Sequence, residues 1–489
     1  MLFNSYIFIF LFFPLALIGY YTLNYFKQNK LAMTFLVGMS FWFYAYNNIY
    51  YLFMLIGSIL LNFLLVEGMD KIKNRHGRRI CFWGGVLLNL GILFFFKYYD
   101  FFMENMNIAL KTEMPFLRLA LPIGISFYTF QQLSYIVDFY KNECEKYSLV
   151  EYALYVSFFP QLIAGPIVYH TEIIPQFRDS KNWKINYVNL SKGIYAFACG
   201  LAKKVLIADI FSRVVVVGFG NISELSTLSA ILVMICYSLQ IYYDFSGYCD
   251  MAYGIGFFFN IQLPINFNSP YKADSISDFW NRWHMTLNRF FIKYVYIPLG
   301  GNRKGKFRTY FNQIFVFFVS GLWHGANWTY IFWGGANGIA VALNRACKKW
   351  VDKVPRMIRT AVTYVFFLFT LIIFRSNSMY QAGEFFYQLF CGGGDVRDIY
   401  LPLLDTFNGM IEASALYRMG FAPLIDRLPW FFLVLYMLIV LVASFTLKNT
   451  QEKVAKMKFS KKEIVVIASM MIWSIMSLSE VSEFLYYNF

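Results

Sequence analysis

Charged residues are scarce in this sequence. Asp, Glu, Lys and Arg supply 15% of its 489 residues, whereas they supply about a quarter of an average soluble protein. Hydrophobic residues reach 58%. This composition excludes an ordinary water-soluble globular protein and predicts a chain that lies mostly within a lipid bilayer.

The common catalytic and metal-binding motifs are also absent. The sequence contains no G-x-S-x-G, no H-E-x-x-H and no Walker pattern, so it gives no support to a hydrolase, a zinc protease or a P-loop enzyme. Its seven cysteines include no C-x-x-C pair, and most lie in apolar segments. We expect core thiols, with neither a disulfide framework nor a metal site.

What the sequence does contain is a series of apolar runs long enough to cross a bilayer, which takes about 20 residues. We predict an all-α, polytopic membrane bundle of about eleven or twelve membrane helices plus re-entrant segments. The predicted spans lie near 5–26, 31–47, 49–66, 80–97, 116–137, 190–219, 228–259, 311–346, 358–375, 429–447 and 463–480. The first run lacks a basic n-region and a cleavage site, so we interpret it as a retained helix.

No internal repeat or low-complexity linker divides the chain. We therefore expect one membrane domain over 1–489. Within it we distinguish N-terminal helices at 1–115, a core at 116–346, and C-terminal helices at 347–489.

The formal net charge is +15, and the cations cluster in short loops between apolar runs. This is typical of cytoplasmic loops and unlike a nucleic-acid-binding stripe. Basic clusters lie at 27–30, 71–79, 345–359 and 448–462. Placing all four in the cytoplasm puts both chain termini and a loop at 377–428 on the exterior side.

Two segments are predicted to break within the membrane. Residues 311–343 have basic loops on both sides, so the chain must turn back, and the midpoint at 320–327 (SGLWHGAN) has the glycines and polar residues that a turn needs. Residues 158–166 are too short to span the membrane and contain two prolines. We interpret them as a re-entrant segment.

His324, at the midpoint of the first of these segments, is the strongest candidate for a functional residue. An ionisable side chain in an apolar segment usually lines a cavity or a reaction path, and imidazole suits acid–base work near neutral pH. A packing histidine bonded to a carbonyl is the alternative. We take the flanking Gly321 and Gly325 to indicate access rather than burial.

His284 lies in a segment with helical periodicity, which predicts one amphipathic helix near the inner interface. The apolar stripe would consist of Phe279, Trp283, Leu287 and Phe291, and the polar face of Asn281, His284 and Asn288. Such a helix serves either as an anchor or as the support for a second histidine beside His324. We assign no catalytic role to His76 or His170.

Asp244 and Asp250 lie in an apolar stretch, where a carboxylate needs a partner. Arg282, Arg289 or a histidine could supply one. Structural pairing is the first interpretation of these carboxylates, and lining of a substrate tunnel is the second.

The loop 298–306 joins glycines to cations that include Arg303 and Lys304. Such a loop could hold the phosphates of a cytosolic nucleotide-containing donor. The general excess of cations in cytoplasmic loops explains the same residues equally well.

Five stretches of the sequence resemble the bacterial alginate O-acetyltransferase-like branch of the membrane-bound O-acyltransferase family. They follow one another in the family's order between 120 and 345. They are 159–167 (FPQLIAGPI), 243–248 (YDFSGY), 278–287 (DFWNRWHMTL), 296–303 (YIPLGGNR) and 320–325 (SGLWHG).

The resemblance implies that His324 is the catalytic histidine and His284 a second polar residue of the site. We further predict Trp323, Asn281 and Asp244 as substrate contacts, although the family often has arginine where Asn281 stands. The resemblance also implies a funnel-shaped helical bundle with a thin centre, in the inner membrane of a bacterium.

In the reaction expected from this resemblance, acetyl-CoA enters from the cytosol with its phosphates near Arg303 and Lys304. His324 acts as general base on an acceptor hydroxyl. The acetyl group would go to an exterior partner of the SGNH acetyltransferase type, or to peptidoglycan or an exopolysaccharide. No permanently bound cofactor is expected.

Two other functions remain open at this point. D-alanyl transfer to teichoic acid from a carrier protein uses a similar scaffold, although those proteins are typically shorter at the C-terminal end. A transporter for polysaccharide precursors would also have broken helices, but such proteins usually show inverted repeats.

Overall fold

A computed structural model describes residues 1–394, 399–408, 417–421, 429–457, 460–478 and 485. These residues form helices joined by short loops, with no β-strand among them, which confirms the predicted all-α class. They group into two compact units. The first contains Met1–Cys199 and Tyr248–Ile265, and the second contains Gly200–Gly247 and Asn266–Ser482.

Among the described residues, five continuous helical stretches are long and apolar enough to cross a membrane on their own. They are Phe8–Tyr25, Ile49–Lys71, Arg75–Leu110, Thr227–Phe258 and Arg356–Arg375. Other predicted spans are shorter or carry more charge. The span predicted at 190–219, for example, contains a π-helical stretch, Lys203–Ala208, that begins with two lysines. The total number of crossings stays a prediction.

The first unit consists of helices that pack around aromatic and amide side chains. The rings of Phe8, Phe43 and Phe159 lie 5.6 to 6.2 Å apart. A buried Asn62 side chain donates to Gln132 at 2.8 Å and accepts from Asn89 at 2.6 Å, which joins three helices by hydrogen bonds as polar residues do in membrane bundles.

The helices of this unit, in chain order, are Phe8–Phe12, Phe13–Tyr25, Asn29–Ala45, Ile49–Lys71, Arg75–Leu93, Phe94–Tyr98, Tyr99–Leu110, Ile125–Tyr140, Leu149–Ser157, Phe159–Leu162, His170–Arg178, Ser180–Trp183 and most of Tyr187–Ala202.

The predicted re-entrant segment is a buried break in the helical chain. Leu149–Ser157 ends there, and a single turn, Phe159–Leu162, follows it. Gly124 lies against this turn with φ of 73°, and a Cβ at that position would lie 2.9 Å from the Leu162 carbonyl oxygen. Only glycine fits there without strain, so the turn can pack directly on a neighbouring backbone.

The second unit holds the remaining helices. In chain order they are Lys203–Ala208, Asp209–Gly220, Ile222–Glu224, most of Thr227–Phe258, Pro270–Lys272, Ile276–Arg282, Met285–Phe291, Ile292–Tyr296, Gly305–His324, Trp328–Ala346, Lys348–Val351, Arg356–Arg375, Met379–Cys391, Leu401–Asn408, Tyr417–Phe421, Pro429–Thr446, Thr450–Ala455 and Lys461–Met476.

The segment predicted to turn back is a helical hairpin. Gly305–His324 and Trp328–Ala346 are joined by only three residues, and the Asn327 side chain accepts a hydrogen bond from the Thr329 backbone N–H at 3.1 Å to start the second helix. The turn lies where the sequence predicted it, immediately after His324.

The prediction that the cysteines are core thiols is wrong for most of them. Cys236 and Cys249 are buried, but Cys347 and Cys391 are exposed and the other three are intermediate. Cys347 follows the end of a helix in a basic stretch, and Cys391 ends the helix Met379–Cys391. For Cys391, apolar surroundings in the sequence did not distinguish the core side of a helix from its outer side.

The loop predicted at 377–428 contains helical segments in its described part, Met379–Cys391, Leu401–Asn408 and Tyr417–Phe421. Residues 395–398, 409–416 and 422–428 of that stretch, and all but residue 485 of 479–489, lie outside the described residues. The side of the membrane and the boundaries at 115 and 346 stay predictions.

Candidate active site

His324 is the last residue of the first hairpin helix. It is 4% exposed and is surrounded by aromatic rings. The ring centroids of Trp323, Trp333 and Phe374 lie 4.9, 5.1 and 5.3 Å from that of the imidazole, all in edge-to-face orientation. The site is therefore an imidazole at a helix end, enclosed by apolar surface.

The interpretation that glycines beside His324 provide access is wrong. A Cβ at Gly321 would meet the Tyr330 carbonyl oxygen, and one at Gly325 would meet the Tyr330 ring. These glycines let the two hairpin helices approach closely. They bury His324 rather than expose it.

His284 lies at a break between two short helices, Ile276–Arg282 and Met285–Phe291. Its φ of 46° is left-handed. The single amphipathic helix predicted over this stretch is therefore wrong, because a left-handed residue changes the direction of the chain. The apolar stripe is buried as expected, but His284 is separated from the other members of the predicted polar face.

Asn266 fixes the orientation of the His284 ring. Its Oδ1 accepts from Thr286 N–H at 3.2 Å and from Thr286 Oγ at 2.8 Å, and it lies 3.1 Å from His284 Nδ1. An amide oxygen only accepts, so Nδ1 carries the proton. Burial lowers the pKa of His284 to about 3, so the ring is neutral at physiological pH and Nε2 is its acceptor nitrogen.

Trp323 brings the two histidines into one site. Its ring centroid lies 4.9 Å from that of His324 and 5.9 Å from that of His284. Phe245 packs on the His284 ring, and their ring centroids lie 4.8 Å apart. The predicted residues His324, His284 and Trp323 thus form one contiguous cluster.

A cavity of about 1040 Å³ lies in the same unit. Its lining comes from several helices and includes polar and charged side chains. Among those are Asp274, Asp278, Asn281, Arg282, Asn288, Gln313, Asn344, Arg345, Lys348, Asp352 and Arg359. The cavity is large enough for a drug-sized or nucleotide-sized ligand.

The charges of the cavity are unevenly paired. Arg359 pairs with Asp274 at 3.3 Å and Asp352 at 3.6 Å, and Arg282 pairs with Asp278 at 2.9 Å. Within the described part of the chain, neither Arg345 nor Lys348 has a carboxylate within ion-pair distance. Two cations are therefore available to an anionic ligand.

Two tryptophans connect this cavity with His324. Trp280 lines the cavity, and its ring lies 5.5 Å from that of Trp333, which in turn contacts His324. Among the described residues, the buried Trp333 Nε1 has no hydrogen-bond partner. A ligand in the cavity would be separated from the imidazole by these two rings.

The predicted substrate contacts are distributed unequally around this cavity. Asn281 lines it, as predicted for a binding residue. Arg303 and Lys304 are exposed and are not among its lining residues. The cations that do line it are Arg282 and, from the basic stretch 345–359, Arg345, Lys348 and Arg359.

Asp244 has a different partner from those proposed. Lys204 Nζ lies 2.7 Å from Asp244 Oδ1 and 2.9 Å from Asp209 Oδ1. Arg282 forms its ion pair with Asp278. The suggestion that Arg282, Arg289 or a histidine serves Asp244 is therefore replaced by a buried ion pair with Lys204. Structural pairing, the first interpretation, agrees with this geometry.

Sequence reasoning missed several polar residues. Lys204 could have been recognised as one of two adjacent cations, with Lys203, inside an apolar run. His170 is fully buried, with Nε2 3.2 Å from Asp138 Oδ2 and Nδ1 3.0 Å from Tyr147 Oη. No local pattern indicates that contact, because the three residues come from separate elements.

Comparison with known proteins adds a family and several relatives. The family model of the membrane-bound O-acyltransferases matches residues 116–381. The chain is 43% identical over 412 residues to a peptidoglycan O-acetyltransferase of Helicobacter pylori, covering 78% of each chain. It is 35% identical over 404 residues to a probable alginate O-acetylase of Pseudomonas aeruginosa, covering 80% of this chain and 75% of the relative.

A more distant relative is a teichoic acid D-alanyltransferase of Bacillus subtilis. The identity is 26% over 336 residues, covering 65% of this chain and 83% of the relative. The two histidines and the cavity described above all lie within the residues that the family model matches.

Proposed function

This chain belongs to the membrane-bound O-acyltransferase family, and on that premise we propose that it carries an acetyl group from cytosolic acetyl-CoA to an exterior acceptor. As a member of that family it is a membrane acyltransferase, which removes the transporter from consideration. The observation that carries the proposal is a buried imidazole, His324, beside a second histidine and near a cationic cavity.

The acetyl group is used to O-acetylate a cell-wall or extracellular polysaccharide. The relatives that cover most of the chain are a peptidoglycan O-acetyltransferase and alginate O-acetylases. The higher identity, 43% against 35%, favours peptidoglycan. The acetyl group passes either directly to the polymer or to an exterior acetyltransferase of the SGNH type.

His324 is the general base of the proposed reaction. It takes the proton of the acceptor hydroxyl as that oxygen attacks the thioester carbonyl, and the carbon–sulfur bond breaks. The thiolate of coenzyme A leaves and receives this proton from the His324 imidazolium, which returns the histidine to its neutral form. Aromatic rings around the imidazole exclude water, which protects the thioester from hydrolysis.

The phosphates of the donor bind in the cavity. Arg345 and Lys348 supply charge that no carboxylate of the described residues neutralises, and charge-assisted hydrogen bonds to phosphate are strong. The acetyl end then points past Trp280 toward His324. Because His324 is 4% exposed, Trp280 or Trp333 must shift when the donor enters.

Replacing His324 with Ala tests the proposal. Loss of a general base lowers the rate by about 100-fold or more, so acetylated polymer should fall to background while the protein still inserts normally. The matched control is His76→Ala, because His76 is an exposed histidine outside the site. Wild-type acetylation by the His324 variant would remove the assignment.

D-alanyl transfer is the second candidate, because a teichoic acid D-alanyltransferase is among the relatives. The donors distinguish the two functions. Purified protein that consumes acetyl-CoA and releases free coenzyme A supports acetylation. Turnover only with a D-alanyl carrier protein would favour the alternative.

A further inference from the structure

A second charged cavity lies in the first unit, and the proposed acyl transfer does not use its residues. It measures about 600 Å³ and lies where two helices end and begin. Its lining residues are Met69, Asp70, Ile72, Lys73, Arg75, Arg78, Phe139, Asn142, Cys144, Glu145 and Lys146. Four of these are cations and two are carboxylates.

The two carboxylates of this cavity already form ion pairs with Lys146 and Arg178. Asp70 pairs with Lys146 at 2.9 Å, and Glu145 pairs with Arg178. Lys73, Arg75 and Arg78 have no carboxylate within ion-pair distance among the described residues. The cavity therefore carries three positive charges that nothing in the described protein neutralises.

Arg78 is held in place before any ligand binds. Its Nη2 donates to the Phe139 carbonyl oxygen at 2.9 Å and to Asn142 Oδ1 at 2.6 Å. Its guanidinium also lies over the Phe139 ring, 5.7 Å from the centroid. A cation fixed by three contacts loses little conformational entropy when an anion binds.

The position of the cavity indicates what that anion is. The cavity lies against residues 139–146 and at the adjoining ends of Ile49–Lys71 and Arg75–Leu110, two helices long and apolar enough to cross a membrane. These helices are poorly covered by protein, and Leu64 and Trp83 are 62% and 50% exposed. Hydrocarbon must cover such surfaces, so the helix ends with the cavity lie at the depth of lipid headgroups.

We propose that this cavity binds the phosphate headgroup of an anionic phospholipid such as phosphatidylglycerol. Lys73, Arg75 and Arg78 contact the phosphate, and the acyl chains lie along the exposed surface of the two helices. Basic pockets between membrane helices on the cytoplasmic side are suited to such headgroups.

The test measures lipid binding by the purified full-length protein in detergent, using native mass spectrometry. Phosphatidylglycerol should bind more tightly than phosphatidylcholine. Lys73→Gln and Arg75→Gln should each weaken phosphatidylglycerol binding about fivefold. Both residues are exposed, so these variants should fold even if Arg78→Gln, which also loses its contacts to Phe139 and Asn142, does not.

Arg79→Gln is the matched control. Arg79 is next to Arg78 in the chain and exposed, but it does not line the cavity. Binding that is unchanged in this variant supports a defined site. Equal weakening by Arg79→Gln would show diffuse attraction of lipid to the basic loop and would overturn the proposal.

A soluble probe separates lipid from other phosphates. Glycerol 3-phosphate at millimolar concentration should not displace phosphatidylglycerol, because it lacks the acyl chains. Displacement at a concentration near that of the lipid would assign the cavity to a soluble phosphate compound instead. Equal affinity for phosphatidylcholine would also contradict the proposal.

Discussion

At the scale of single residues, His284 combines a strained backbone with a functional position. Left-handed φ costs a residue with a Cβ roughly 1 kcal/mol or more, and His284 holds it at 46°. Two backbone hydrogen bonds of 2.9 Å, from Met285 N–H to Asn266 O and from Asn268 N–H to Arg282 O, stabilise the chain on either side. Strain that persists in this way is common at functional sites.

Replacing His284 with Gly or with Ala separates the backbone from the ring. Both variants lose the imidazole, but glycine accepts φ of 46° freely, so the Gly variant should be more stable than the Ala variant by about 1 kcal/mol. Thermal unfolding in detergent measures this difference. If the imidazole contacts substrate, both variants lose acetyl transfer equally; activity that follows stability instead would make His284 structural.

At the scale of elements, the hairpin that carries His324 depends on glycines at its crossing point. A Cβ at Gly334 would collide with the Phe317 carbonyl oxygen, and a Cβ at Gly338 would lie 2.8 Å from the Ile314 Cα. Gly335, on the adjacent face of the same helix, has nothing within 4 Å of its Cβ position. The hairpin thus contains both a packed glycine and an unpacked one.

Gly334→Ala should separate the helices, displace His324 and lower stability by about 1 to 3 kcal/mol, which is the usual cost of overpacking. Gly335→Ala should be neutral or stabilising by up to about 1 kcal/mol, because alanine favours helix. Thermal stability and acetyl transfer of the two variants check this. Equal behaviour of both would contradict the close packing.

The hairpin was predictable and the break at His284 was not, for a physical reason. Basic loops on both sides of 311–343 required a turn, and SGLWHGAN is a composition that turns favour. The break at His284 depends on Asn266 and Asn268, which lie in another part of the sequence. Periodicity reports only local preference, so the stripe from Phe279 to Phe291 looked like one helix.

The same limit applies to the charged residues. The sequence indicated that Asp244 needs a partner but could not select Lys204. It placed phosphate-binding cations at Arg303 and Lys304, because local glycines suggested an anion-binding loop. The cavity collects Arg345 and Lys348 with residues of five other helices, an association that only the folded chain creates.

At the scale of the whole molecule, two neighbouring lysines test whether the cavity lined by Arg345 and Lys348 binds the phosphates of the donor. Lys348 lines the cavity and Lys349 does not, although both are exposed. Lys348→Gln should raise the KM for acetyl-CoA about tenfold, as expected for loss of a charged hydrogen bond, with little change in kcat. Lys349→Gln should leave KM unchanged.

Initial-rate measurements with purified protein distinguish the two candidate sites for the donor phosphates, the cavity with Lys348 and the turn at 298–306. A larger rise in KM for Arg303→Gln or Lys304→Gln than for Lys348→Gln would move the donor phosphates to the turn at 298–306. It would also leave the cavity without its proposed ligand.

If the cavity binds the donor as proposed, it must face the compartment that contains acetyl-CoA. Cys347 lies beside it in the basic stretch 345–359, and Cys391 lies beyond the candidate span Arg356–Arg375. Both are exposed. If the basic stretch is cytoplasmic, the two thiols lie on opposite sides of the membrane.

Labelling of these thiols in spheroplasts with a membrane-impermeant maleimide tests the orientation, in variants that keep only one of the two and have the other cysteines replaced by Ser. The thiol of Cys391 should react from outside, and that of Cys347 only after the membrane is permeabilised. The reverse pattern would expose the cavity to the exterior, where acetyl-CoA is absent, and the proposed donor would have to be abandoned. Reaction of both thiols from outside would show that Arg356–Arg375 does not cross the membrane.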